Sequence, residues 1–146
     1  MNNMHIGIVS GYFNPIHRGH LEYINAAKKE CDFLVVIVNN DLQVRLKGSK
    51  EFMDEEHRVE IVNNLKSTDM AVTSIDNTRS VAETIRFIRG LLPEEYNTFT
   101  FYNSGDRNPD ATNSKEDIMC HQLGIKTKFL DLPKIYSSSE LKNSVY

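Results

Sequence analysis

The feature that most constrains the fold of this chain is a run of six consecutive apolar residues from Phe33 to Val38. A strand with one face in water alternates apolar and polar residues, whereas an unbroken apolar run is typical of a strand covered on both faces. Before this run, apolar residues recur at helical spacing at Leu21, Ile24 and Ala27. A helix followed by a buried strand predicts an α/β fold.

Strands and helices alternate along the rest of the sequence, without an internal repeat or a low-complexity segment. This alternation predicts a Rossmann-like α/β fold, a doubly wound, parallel, five-stranded sheet with helices on both faces. We expect a single domain over residues 1–146. The predicted strands cover residues 6–9, 33–38, 70–75, 98–102 and 126–130, and the predicted helices lie near residues 21–27, 59–65, 81–88, 118–123 (ended by Gly124) and 139–145.

Composition argues against several classes of function. The 146 residues carry a formal net charge of −3 with both signs interspersed, so no basic stripe indicates nucleic acid binding. No apolar stretch has the length of a membrane span, and the first residues lack the pattern of a secretory signal. Cys31 and Cys120 lie far apart and are expected to be reduced, which fits a cytoplasmic location.

Residues 11–20, Gly-Tyr-Phe-Asn-Pro-Ile-His-Arg-Gly-His, join the first strand to the first helix. The N-terminus of a helix offers free backbone N–H groups and the positive end of the helix dipole to a ligand. His17 and His20 are three residues apart, so they share one helix face if the helix has begun by His17. Gly19 leaves no side chain between them, which allows a phosphate to approach the backbone. These features together predict a site for phosphoryl groups.

Residues 13–20 resemble the HxGH signature of the nucleotidylyltransferase superfamily, which includes glycerol-3-phosphate cytidylyltransferases and heptose-phosphate adenylyltransferases. The resemblance implies that His17 and His20 are catalytic and donate hydrogen bonds to the α-phosphate and bridging oxygens of a nucleoside triphosphate. Asn14 stands where many relatives have Asp. The resemblance also implies that the other junction residues bind the nucleotide or its phosphates, namely Gly11, Tyr12, Phe13, Asn14 and Gly19.

A strand order of 3-2-1-4-5 would place strands one and four side by side at the switch point, where ligands bind in open α/β sheets. The loop after strand four would then share a crevice with the histidines. This loop carries Gly105, Asp106 and Arg107, which resemble the glycine-aspartate loop that borders the nucleotide in the superfamily.

A third motif follows the last strand. Ser137 and Glu140 fit a capping box that opens the final helix. Ser137, Ser138 and Ser139 resemble the serine/threonine-rich motif of the superfamily, which implies that they hold the outer phosphates of the nucleotide. A hydroxyl-rich helix start is suited to that task.

The two longest irregular stretches, around residues 41–53 and 103–113, are predicted to be active-site loops. The first carries Lys47 and Lys50, and either lysine would neutralise charge on the transferring phosphorus. It has no apolar anchor before Phe52, so we expect it to be mobile when the site is empty.

Glu56, His57 and Arg58 lie between this loop and the apolar stripe of the following helix. A helix arginine can be packed in place, so Arg58 is predicted to bind phosphate bidentately. His57 is expected to face solvent. His5 and His121 fit no constellation and are assigned no chemistry.

The resemblance implies an enzyme that transfers a nucleoside monophosphate to a phosphorylated small substrate, such as a polyol or sugar phosphate, and releases pyrophosphate. Residues 56–58 resemble the cytidylyltransferases and slightly favour CTP as donor, whereas residues 45–48, Arg-Leu-Lys-Gly, resemble the heptose-phosphate adenylyltransferases and favour ATP. Mg²⁺ is implied as a companion of the triphosphate, held by phosphate oxygens and water, with no dedicated protein metal site.

Two other functions are open to a chain of this pattern. A non-catalytic nucleotide-binding protein of the same fold is disfavoured by the retention of both histidines and the basic loop. An NAD-dependent oxidoreductase is disfavoured because no G-x-G-x-x-G follows the first strand. The expected partners are therefore a nucleoside triphosphate and a phosphorylated acceptor, with no nucleic acid and no membrane, and a homodimer is left open.

Overall fold

The computed structural model describes residues 3–92, 97–104 and 114–132. Its strands are β1 (Met4–Gly11), β2 (Phe33–Val38), β3 (Met70–Thr73), β4 (Asn97–Asn103) and β5 (Lys126–Phe129). Its helices are α1 (Arg18–Lys29), α2 (Asp41–Leu46), α3 (Glu55–Asn63), α4 (Ala82–Leu91) and α5 (Lys115–Leu123). The strands form one parallel sheet in the order β3-β2-β1-β4-β5, which confirms the predicted fold class and strand order.

Helices cover both faces of this sheet, and β2 illustrates why its sequence is apolar throughout. Leu34, Val36 and Val38 point to a cluster that includes Ile24 of α1 and other buried residues of α1 and α3. Val35 and Ile37 point to the opposite cluster, which contains residues of α4 and α5. Alternate residues of one strand therefore enter two different cores, as expected for a doubly wound sheet.

The predicted irregular stretch 41–53 is partly wrong, because its first part is α2. Asn40 caps this helix, because its Oδ1 accepts a hydrogen bond from the Gln43 N–H at 2.9 Å. In turn, the Asn40 N–H donates to Oε1 of the Gln43 side chain at 3.0 Å. This is a capping box, and its spacing is visible in the sequence. Lys47 is the C-cap of α2 rather than a loop residue.

Two further helices begin earlier than their apolar periodicity indicates. Asp54 caps α3 and Ser114 caps α5, each accepting from the backbone N–H three residues later. Gly124 ends α5 in the left-handed conformation at φ 71°, as predicted.

Several sequence features lie outside the described residues. These are the loop residues Gly105, Asp106 and Arg107, the serines Ser137, Ser138 and Ser139, and the closing helix expected at residues 139–145. Within the described ranges, no helix has the length and apolar character needed to cross a membrane.

Candidate active site

The two histidines of the β1–α1 junction form a stacked, hydrogen-bonded pair. His17 is the N-cap of α1, and its ring lies 3.8 Å from the ring of His20, with 22° between the two planes. The His17 N–H donates to His20 Nδ1 at 3.1 Å, and the Gly19 N–H donates to His17 Nδ1 at 3.1 Å. Both Nδ1 atoms are therefore acceptors, so a neutral ring carries its proton on Nε2. Each histidine presents an Nε2–H donor, which is the group that a phosphate oxygen needs.

The surroundings of His20 keep its ring neutral. Burial, reinforced by the nearby positive charges of His17 and Lys47, lowers the pKa of His20 to about 3. The ring also packs edge-on against Phe13, with 4.8 Å between centroids. Phe13 is 1% exposed, so its side chain supports His20 and cannot stack on a nucleotide. Any part of Phe13 in nucleotide binding would therefore be through its backbone, and that binding stays a prediction.

Lys47 and Lys50 differ in their relation to the histidines. Lys47 Nζ lies 4.3 Å from the centroid of the Tyr12 ring, in a cation–π contact. Lys47 is also close enough to His20 to contribute to its lowered pKa. Lys50 contributes its backbone carbonyl to the packing of the loop, not its ammonium group. The structure therefore brings the side chain of Lys47 against the junction, whereas Lys50 meets the junction through its backbone carbonyl.

Asn14 fastens the α2–α3 loop to the junction. Its Nδ2 donates to the Lys50 carbonyl at 3.0 Å, and its Oδ1 accepts from the Phe52 N–H at 2.7 Å. Because the side chain is buried and both ends of its amide are used in this way, direct phosphate binding by Asn14 is corrected to a positioning role. The loop therefore has a polar anchor before Phe52, the hydrogen-bonded carbonyl of Lys50, which the sequence did not indicate.

Arg58 is buried beneath the cleft instead of facing it. Its guanidinium donates to three carbonyls, those of Tyr12 at 2.8 Å, Asn39 at 2.6 Å and Met53 at 3.0 Å. It also forms an ion pair with Asp41 at 2.6 Å. The side chain is 0% exposed, so a bidentate phosphate contact is contradicted by geometry. Arg58 is packed in place as predicted, but it joins three segments around the cleft.

A cavity of about 680 Å³ opens at the carboxyl end of β1. Gly11 and Tyr12 line the side next to the histidine pair, and Asn39 lies at the end of β2. A side chain at residue 11 would collide with Phe13, since a Cβ there would lie 2.8 Å from its ring. The opposite wall was not predicted from the sequence and consists of Thr78, Arg79, Ser80, Val81, Lys115 and Glu116.

Amide and carboxylate side chains hold the β3–α4 turn that forms this wall. Gln43 Nε2 donates to the carbonyls of Thr78 and Ser80, at 2.8 and 2.9 Å. Asn40 Nδ2 donates to two further carbonyls of the turn, including that of Asp76 at 2.8 Å. The buried Asp76 carboxylate accepts from the first turn of α4 and fixes the other end of the turn. A turn held at both ends presents its exposed side chains in a defined place.

No group of three or more His, Cys, Asp or Glu side chains in the described parts of the chain could hold a metal ion. His57 is exposed and bonded to Asp54, as expected for a residue outside the site. Cys31 and Cys120 are free, and Cys120 is buried in the core.

Family comparison adds to this geometry. The model of the family described as cytidylyltransferase-like matches residues 8–142. The chain belongs to this family. The match includes the histidine junction, the Lys47 segment and the cavity wall.

Among named relatives, this cytidylyltransferase-like chain is 38% identical over 77 residues to the bifunctional protein HldE of Rhodopseudomonas palustris. That alignment covers 51% of this chain and 16% of HldE, so the chain spans about a sixth of that relative's length. An FAD synthase of Picrophilus torridus is 25% identical over 143 residues, 94% of each chain.

A solved structure has the same fold. It is the lipopolysaccharide core biosynthesis protein from Thermoplasma volcanium, with a TM-score of 0.70 and 24% identity. The superposition covers 89% of this chain and 98% of that protein. At this identity the likeness concerns the fold alone.

Proposed function

We propose that this chain catalyses nucleotidyl transfer from a nucleoside triphosphate to a phosphorylated small acceptor. The observation that carries the proposal is the histidine pair, whose two Nδ1 atoms accept backbone N–H groups, so that a neutral ring carries its proton on Nε2. Lys47 lies beside the pair, with its Nζ over the Tyr12 ring. Ring N–H donors and an ammonium group suit a centre on which negative charge builds up.

In the proposed reaction, an oxygen of the acceptor phosphate attacks the α-phosphorus of the triphosphate. The bond from that phosphorus to the oxygen bridging the β-phosphorus breaks, and pyrophosphate leaves with the electron pair. The acceptor is its own nucleophile, so the protein orients two anions and stabilises the transition state. His17 and His20 would donate to the α-phosphate and bridging oxygens. Mg²⁺ bound to the triphosphate would neutralise phosphate charge, with its ligands drawn from phosphate oxygens and water.

The donor nucleotide is proposed to be ATP in preference to CTP. The sequence preference for CTP depended on residues 56–58, but Arg58 is buried on carbonyls and His57 is exposed on Asp54. Neither side chain is therefore placed to form a hydrogen bond with the base of the nucleotide. FAD, the product named for one relative, contains an adenosine monophosphate unit, which supports an adenylyl donor.

The test is acceptor-dependent release of pyrophosphate. Purified protein with Mg²⁺ would be given ATP or CTP with each of several phosphorylated acceptors, and a reaction without acceptor would measure simple hydrolysis. We expect release that requires the acceptor and is faster with ATP. If triphosphate binds by calorimetry but no acceptor in the panel gives pyrophosphate, the chain is a nucleotide-binding protein and the proposed transfer is wrong.

A further inference from the structure

The segment that carries Lys47 is shaped by backbone contacts of the protein itself. Lys47 follows the last turn of α2, and its N–H donates to the Gln43 carbonyl at 3.0 Å. The Ser49 N–H donates to the Val44 carbonyl at 3.1 Å, so the turn after the helix stays bonded to it. Gly48 lies at φ 90°, a conformation that favours glycine, and there the chain leaves the helix. The backbone of Lys47 is therefore fixed on the helix side.

Asn14 fixes the other side of this turn, and its contacts need both a donor and an acceptor. Its Nδ2 donates to the Lys50 carbonyl at 3.0 Å, and its Oδ1 accepts from the Phe52 N–H at 2.7 Å. A carboxylate would keep the second bond but would place a negative oxygen against the Lys50 carbonyl. Asn14 is 2% exposed, so water cannot replace the lost bond. By contrast, the ion pair of Arg45 with Glu51 across the same turn is exposed at Arg45 and adds little.

Tyr12 contacts the ammonium group that this backbone presents. Lys47 Nζ lies 4.3 Å from the centroid of the Tyr12 ring, within the range of a cation–π contact. The Tyr12 carbonyl accepts from the buried Arg58 guanidinium at 2.8 Å, so the ring is attached to a backbone that is itself held. From this place the charge of Lys47 reaches His20, whose pKa it helps to lower. The ammonium group is thus set beside the histidine pair.

We propose that Tyr12 and Asn14 are positioning residues for Lys47. Asn14 sets the backbone of the turn that carries the lysine, and the Tyr12 ring sets its ammonium group. The cation then meets the transferring phosphorus without closure of a loop over the substrates. This inference rests on the proposed nucleotidyl transfer, since it explains how the cation of that reaction is put in place. It gives Tyr12 a part in the reaction that requires neither its hydroxyl group nor a contact with the nucleotide.

The kinetic test uses Tyr12→Leu and Asn14→Asp. Loss of the ring or of the amide donor should lower kcat about threefold or more, but no further than Lys47→Ala does. The triphosphate Kd should stay within about twofold of the wild type. Tyr12→Phe keeps the aromatic face and should restore most of the kcat that Tyr12→Leu loses. Asn64→Asp is the matched control with unchanged kcat, because Asn64 Nδ2 donates to the Glu60 carbonyl at 2.8 Å at the exposed end of α3.

Coupling to Lys47 separates positioning from a general structural effect. When Lys47→Ala is already present, Tyr12→Leu and Asn14→Asp should cause little further loss of kcat, because the group that they place is gone. A full further loss in either double variant would overturn the proposal. A loss of triphosphate affinity as large as the loss of kcat would overturn it as well, since the residues would then act in ground-state binding.

A spectroscopic readout keeps this inference separate from the proposed function, because it needs no turnover. Protons held over the face of an aromatic ring resonate upfield, and Lys47→Ala would identify the Lys47 signal by its absence from the NMR spectrum of lysine-labelled protein. We expect an upfield Lys47 signal in the wild type and in Tyr12→Phe, and an ordinary lysine signal in Tyr12→Leu and Asn14→Asp. This pattern without pyrophosphate release would support the placement of Lys47 and refute only the transfer reaction. Pyrophosphate release with an ordinary Lys47 signal in the wild type would overturn the placement.

Discussion

The two walls of the cavity use their polar side chains in opposite ways. On the histidine side, Asn14 and Arg58 turn inward and bind backbone carbonyls or N–H groups. On the β3–α4 side, Arg79 and Lys115 remain exposed at the cavity. On the first side, the polar side chains of Asn14 and Arg58 form hydrogen bonds within the protein that hold the backbone around the histidines in place. On the second side, the cationic side chains are exposed to a ligand.

This contrast shows that residue type alone does not identify a ligand-binding arginine. Arg58 lies near the start of α3 and Arg79 lies in the turn before α4, yet Arg58 is buried and Arg79 is exposed. What separates them is the set of carbonyls that the fold brings around the guanidinium.

The largest effect is expected from Arg58→Ala. Removing the guanidinium leaves Asp41 and three carbonyls without their partner, and breaking such a buried pair costs about 3 kcal/mol or more. Denaturant unfolding would measure the loss. Arg45→Ala is the control, because Arg45 pairs with Glu51 while 63% exposed, and its loss should leave the free energy of unfolding nearly unchanged. Equal losses of unfolding free energy in the two variants would mean that the buried hydrogen bonds of Arg58 do not stabilise the fold.

The next effect concerns the histidine donors. His17→Ala or His20→Ala should lower kcat about a hundredfold or more, the usual scale for loss of a transition-state donor. Steady-state pyrophosphate release would measure it. His57→Ala should leave kcat unchanged, because His57 is exposed and bonded to Asp54. Normal turnover in either junction variant would place the chemistry elsewhere.

A smaller difference should separate the two lysines. Lys47→Ala should lower kcat about tenfold or more with little change in triphosphate Kd, if Lys47 meets charge that develops only in the transition state. Lys50→Ala should stay within about threefold of the wild type, since its part in the loop is its backbone carbonyl. Steady-state kinetics would measure kcat of both variants, and calorimetry would measure their Kd for the triphosphate. The reverse ranking would show that Lys50, and not Lys47, meets the charge on the transferring phosphorus.

The smallest effect is in the dependence of stability on pH. Because the pKa of His20 is about 3 when folded and 6.5 ordinarily, the unfolded chain binds an extra proton between these values. Stability from this group is therefore complete above pH 6.5 and is lost as pH falls, by about 1 kcal/mol from pH 6 to pH 5. Denaturant unfolding of His20→Gln should show a shallower slope by about that amount. His57→Gln, altered at an exposed site, should keep the slope of the wild type.

Much of the fold could be predicted from the sequence, because the signals were local. The unbroken apolar run of β2 and the helical stripes predicted a doubly wound sheet, and Gly124 predicted the end of α5. Helix α2 was missed although Asn40 and Gln43 carry a capping box, because the segment lacks apolar periodicity. The starts of α3 and α5 were placed late for the same reason, since polar first turns carry no hydrophobic signal.

The site was predictable only where its residues are close in sequence. His17, Gly19 and His20 form a spacing pattern that can be recognised without a fold. Arg58 was predicted to bind phosphate because its real partners could not be identified from the sequence. They are the carbonyls of Tyr12, Asn39 and Met53, which come from separate segments that only folding brings together. Arg79 and Lys115 were missed because they lie on the same cavity wall only in the folded chain and belong to no recognisable motif.

The guanidinium of Arg58 also has a consequence for local opening of the chain. It bonds at once to Tyr12 before α1, to Asn39 after β2 and to Met53 before α3. None of these segments can separate from the others without exposing a buried charge, so they should open as a single cooperative unit. In amide hydrogen exchange, the N–H groups of Asn39 and Phe52 should therefore share one opening free energy, although they are held by different acceptors.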